Sequence, residues 1–222
     1  MIRRAVLSGA LAALLSAGPV LAEAPAETGP TERVMDALKV FPFLDRFYGV
    51  AAEKRSLIIL RYNLTHDGRP ATDVKISLLV GDQRIPIPLS ARGKVERLPT
   101  RAELAAHAQV AIEAPAAAKF RTRIALDTTI TPTQEVDAAT CAQAIKQINH
   151  AIAHAAGVLS ILAPKFKATT FEGADSGVAV LADGSTAPLP LIDGHPAYDP
   201  ARIKDARTIR LDKAPRLISL EQ

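Results

Sequence analysis

Ile85-Pro86-Ile87-Pro88-Leu89 alternates apolar side chains with prolines, and Ala187-Pro188-Leu189-Pro190-Leu191 repeats the alternation about 100 residues later. Proline has no backbone N–H to give to a ladder, so neither stretch suits the middle of a sheet. Each predicts an edge strand, or an extended segment beside one. The surroundings repeat too. Gly81-Asp82 turns the chain into the first stretch and Asp183-Gly184 into the second. Gly93 and Gly194 mark a second turn, and Pro99 and Pro200 follow. An alternating strand ending in Ala-Pro comes next, at Ala114-Pro115 and at Ala214-Pro215, and a last strand lies around Ile124 and around Leu217. The pattern predicts a degenerate duplication. A chance likeness between two proline-rich β stretches is the competing explanation.

Around these landmarks the apolar period is two. Ile58, Leu60, Tyr62 and Leu64 share one strand face, as do Val74, Ile76, Leu78 and Val80. His66-Asp67-Gly68-Arg69-Pro70 between them is turn chemistry. Short strands are expected over 94–98, 109–113 and 121–126, with one helical turn over 101–107. Before the first strand, Thr31 can cap a helix that turns Val34, Met35 and Leu38 inward and stops by Val40, ahead of Pro42. Between the halves the period changes to that of a helix. Cys141, Ile145, Ile148, Ile152, Ala155, Leu159 and Leu162 form one stripe, with Asp137 or Thr133 as cap and Pro164 as stop. Gln143, Lys146, Gln147, His150 and His154 fall on the opposite, polar face.

The fold expected is therefore α+β: two related β-rich, sandwich-like modules with a long amphipathic helix between them. The N-terminal module spans 25–132 and the C-terminal one 133–222, each a helix followed by short strands.

Residues 1–24 read as a cleaved export signal. Arg3 and Arg4 precede an apolar run from Ala5 to Gly18, and Pro19 breaks it. Small-residue sites follow, with cleavage near Ala22 or Ala24. The run is shorter than the roughly 20 residues that span a bilayer, so no transmembrane segment is expected in the mature chain. No Cys stands near the cleavage site to take a lipid anchor. A periplasmic or secreted location follows, by the general or the twin-arginine export route.

Composition excludes several function classes. The single Cys cannot build a disulfide framework or a thiolate metal site. Cleavage after Ala24 leaves 25 basic and 22 acidic side chains, a net charge of +3. The densest basic spot, Lys119 with Arg121 and Arg123, is too small for a nucleic-acid footprint. Aromatics are only 4% of the chain, yet Phe41, Phe43, Phe47 and Tyr48 crowd into eight residues. That cluster is a docking patch for an envelope partner or a lipid surface, or else a plug over one end of the fold.

No nucleophile elbow, phosphate loop or cofactor motif is present. His150 and His154 have the i, i+4 spacing of metal ligands, but a zinc site needs a third, and Ala151 stands where a zincin helix has its Glu. A solvated polar face is the simpler explanation of the pair. Cys141 falls inside the apolar stripe, where a thiol behaves as a small hydrophobe. Three functions follow. The first is a non-enzymatic interaction protein of the envelope. The second is a small-ligand binder with a groove between the modules, lined by Tyr62, Phe120 and Phe171. The third is a metal-dependent hydrolase built on His150 and His154.

Overall fold

The computed structural model describes residues 30–115, 118–157 and 165–222. The expected export signal, and Leu159, Leu162 and Pro164 at the end of the expected helix, lie outside the described residues.

The first half of the chain begins with strand β1 (Pro30–Asp36) and helices α1 (Ala37–Val40) and α2 (Leu44–Gly49). Strands β2 (Ile58–His66), β3 (Arg69–Pro70), β4 (Lys75–Val80) and β5 (Gln83–Pro86) follow. Helix α3 (Arg101–Ala105) leads into β6 (Gln109–Pro115) and β7 (Phe120–Thr128). The second half starts with β8 (Glu135–Asp137) and the long helix α4 (Ala138–Ala156). Then come β9 (Ala168–Glu172), β10 (Gly177–Leu181), β11 (Thr186–Pro188) and β12 (Leu191–Ile192). Strands β13 (His195–Tyr198), β14 (Ala206–Leu211) and β15 (Leu217–Glu221) complete it.

The molecule is β-rich, with three sheets and few helices. One four-stranded sheet runs β1-β6-β4-β5 and another β8-β14-β10-β11. The seven-stranded sheet runs β3-β2-β7-β15-β9-β13-β12, so it draws on both halves of the chain. The halves meet where β7 pairs with β15 at Asp127 and Ser219. There the buried Thr128 hydroxyl donates to the Ile218 carbonyl at 2.8 Å. As the missing proline donors require, β5 and β11 are both outermost strands.

The opening helix expected over 31–40 is instead a strand followed by one helical turn. β1 pairs with β6 at seven consecutive positions, and half-buried Thr31, Arg33 and Met35 alternate with exposed neighbours. Asp36 ends the strand and caps α1, accepting the Leu38 N–H at 2.7 Å. Val34 and Leu38, expected inside, are among the exposed apolar residues. An edge strand gains ladder bonds with β6 that an isolated two-turn helix cannot match, and tertiary pairing overrides the weak local preference.

Two cores result. Phe41, Tyr62, Leu64, Leu78, Val110 and Ile112 belong to the first. Phe171, Ala179, Ile209, Leu211 and Ile218 belong to the second. Helix α4 serves both: Ala138 and Cys141 pack into the second core, Ile145, Ile148 and Ala151 into the first. Ile145 and Ile148 contribute about 1.5–3 kcal/mol each by burial and the smaller Ala138 and Cys141 less, so one helix face reaches into both cores and holds most strongly to the first. Asp137 is the observed cap, accepting the Thr140 N–H at 2.7 Å. Among the described residues no helix is long and apolar enough to cross a membrane.

Candidate ligand groove

Pro42 and the residues around it turn the chain sharply between α1 and α2, and the four clustered aromatics separate there. Phe41 is fully buried, its ring 5.3 Å from Tyr62 in an edge-on contact. Phe47 is buried as well, and Tyr48 is half-buried with its hydroxyl donating to the Pro99 carbonyl at 2.9 Å. Phe43 alone stays open, 51% exposed. Its backbone is left-handed, at φ 68° and ψ 1°, a region that a bulky side chain occupies only under strain. Two of the four residues nominated for a partner thus fill the first core, and the outward surface of the segment rests on Phe43.

Beside Phe43 lies an apolar groove of about 480 Å³. Its floor is the face of β2 and β7 that carries Leu60, Ile124 and Leu126, with Leu60 directly opposite Leu126 in the ladder. One wall is the outer half of the α4 stripe, Ile152 and Ala155, and the other walls are Phe43 with Phe47 and Phe166. The volume falls within the ~300–1,000 Å³ of ordinary ligand pockets, and a mostly apolar lining is typical of them.

Polar side chains of α4 hold the groove's borders in place. Gln147 was expected on the solvent face but is buried. Its side-chain oxygen accepts the Leu57 N–H at 2.8 Å, and its amide donates to the Glu53 carbonyl at 2.9 Å and the Ser56 hydroxyl at 3.2 Å. The loop 53–57 folds over that part of the helix, and each hydrogen bond contributes about 1 kcal/mol. Asn149 makes a reciprocal pair with Phe166: its amide donates to the Phe166 carbonyl at 2.8 Å, and its oxygen accepts the Phe166 N–H at 2.9 Å. Arg46 crosses the rim, donating to the Ala155 carbonyl with its guanidinium 5.9 Å from the Phe43 ring centre.

The three residues nominated for a ligand do not converge. Tyr62 is buried in the first core, where its hydroxyl donates to the Pro42 carbonyl at 2.7 Å and burial pushes its pKa up. Phe171 is buried in the second core. Phe120 stacks on His66 at 5.3 Å, a ring whose two nitrogens each lie 3.0 Å from a carboxylate, Asp67 on one side and Asp73 on the other. That cluster pins the β2–β3 turn, and the His66 hydrogen bond holds the Asp73 carboxyl below its usual range.

His150 and His154 are both exposed on α4. A Cβ built on Gly49 would sit 3.1 Å from His154 Nε2, so that ring rests against the end of α2. Among the described residues no group of three His, Cys, Asp or Glu is placed to hold a metal ion. Cys141 is fully buried, and burial raises its thiol to about 12, which keeps it protonated and unreactive.

The chain matches no family model, no curated protein and no solved structure. Its functional reading rests on the groove and the residues around it. Reading the sequence missed Arg55, Gln147, Asn149 and Phe166. The last two carried no signal, because their pairing joins a helix to a segment beyond it. Gln147 carried a faint one, as a polar side chain beside the buried Ile148.

Proposed function

We propose that this is an exported, non-catalytic binding protein of the cell envelope, with an apolar small molecule held in the groove between α2, α4 and the β2–β7 face. The groove carries this reading: it is of ligand size, apolar, and walled by an aromatic ring held open in a strained backbone. The described polar groups around it act as clamps, and none is arranged as a nucleophile with a base. The export signal read from residues 1–24 gives the location. A thermal-shift titration of the purified protein with dodecanol tests the proposal, since a ligand that binds only the folded state raises the melting temperature by mass action. A rise of several degrees at saturation is expected, and a flat curve overturns the reading.

The same protein is proposed to be an internal duplication of one β-rich module. The wiring β1-β6-β4-β5 has a counterpart in β8-β14-β10-β11, with α1 following β1 and α4 following β8. Past the first proline edge, the Ile87 N–H donates to the Ile76 carbonyl at 2.8 Å; past the second, Leu189 donates to Gly177 at 3.0 Å. On the return legs Glu96 donates to the Pro88 carbonyl at 2.9 Å and Ala197 to the Pro190 carbonyl at 2.8 Å.

An envelope protein docking on the open Phe43 ring is the second reading, favoured by that side chain's 51% exposure. Cross-linking from position 43 in intact cells separates the two, because a protein partner gives a discrete adduct and a small ligand gives none.

A further inference from the structure

A second depression, of about 490 Å³, adjoins the apolar groove. Phe47 and Leu60 line both, so the two lobes are neighbours that meet at these side chains. Their chemistry differs. The second lobe is bordered by Tyr48, Arg55, Ser56 and Thr129 as well as by apolar side chains.

Among the described residues that line this lobe Arg55 is the one cation, and it is held in a fixed pose. Its Nε donates to the Val50 carbonyl at 3.0 Å. The guanidinium lies 5.3 Å from the Phe47 ring centre and 5.5 Å from that of Tyr48. The loop carrying it is fastened to α4 by Gln147. The side chain is half-buried, and among the described residues it has no carboxylate partner. Its terminal amines make no hydrogen bond within the described residues. Arg46, beside Phe43 at the first lobe, already gives a hydrogen bond to the end of α4. A preorganised guanidinium with free donors recognises a planar or tetrahedral oxyanion through paired hydrogen bonds.

We propose that the ligand is a single-chain amphiphile with an anionic head, its hydrocarbon chain in the lobe between Phe43, Ile152 and Phe166 and its head on Arg55. The inference rests on the groove reading above and adds the head group to it. A carboxylate and a phosphate monoester share the required chemistry.

Calorimetric titration with laurate, dodecyl phosphate and dodecanol, each below its aggregation concentration, tests the proposal and tells the two sources apart. The anions are expected to bind at least about tenfold tighter than dodecanol, the worth of one charge-assisted pair. Whichever anion shows the larger gain names the head. Arg55→Met is expected to remove the gain and leave dodecanol unchanged, and Arg55→Lys to keep part of it. If Arg55→Met does not fold, the salt dependence of the wild-type gain decides: it shrinks with added salt if the head pairs with a cation. Dodecanol binding as tightly as the anions, or an Arg55→Met variant that weakens all three alike, overturns the proposal and leaves the apolar groove standing. No binding by any of the three overturns both.

Discussion

Phe43 occupies a left-handed backbone position that costs a bulky residue about 1–2 kcal/mol, and its ring gains little burial in return. Asn tolerates the same backbone through local hydrogen bonding. The Phe43→Asn variant should therefore keep its melting temperature or gain slightly, while its affinity for dodecanol falls, as titration of the two proteins side by side will read. A large loss of stability would mean that the ring is a core element and not a wall of the groove. Arg55 shows the complementary case. Its charge was visible in the sequence, but one Arg among many gives no sign of which lies against two rings with no carboxylate partner among the described residues. The groups that hold it, Val50, Tyr48 and Phe47, stand close by in the chain, but their placement around the guanidinium is set by the fold and not by any motif.

Helix α4 was legible in outline because its apolar stripe has a strict helical period. Cys141, Ile145 and Ile148 are buried as that period requires. The same reasoning put Gln147 on the solvent face, and it failed there because periodicity does not register a loop folded over the polar side. β1 was misread for a related reason. Thr31, Val34 and Leu38 satisfy a helix pattern, and only the β6 partner, about 80 residues on, makes the strand the better choice. The proline edges were legible because a missing N–H is a property of the residue itself. If the halves are copies, a single rotation in an experimental structure will lay β2 on β9, β4 on β10 and β6 on β14. A rotation that matches one hairpin and leaves the other strands apart contradicts the duplication.

In the whole molecule, α4 bridges two cores while the seven-stranded sheet runs from one half into the other through β7 and β15. The groove opens on the first core's side of that helix, and its walls come from α2, β2, β7, α4 and the segment at Phe166. No stretch of sequence contains it, which is why composition and motifs pointed to export and to β structure but not to a site. Ligand contact is confined to the first core's side of α4, and the second core stays untouched. Methyl-resolved NMR of the purified protein, with and without dodecanol, reads this directly. The Ile124 and Ile152 methyl signals are predicted to shift and saturate together while those of Ile209 and Ile218 stay in place. Shifts spread over both cores, or none at Ile124 and Ile152, would contradict the groove as the binding site.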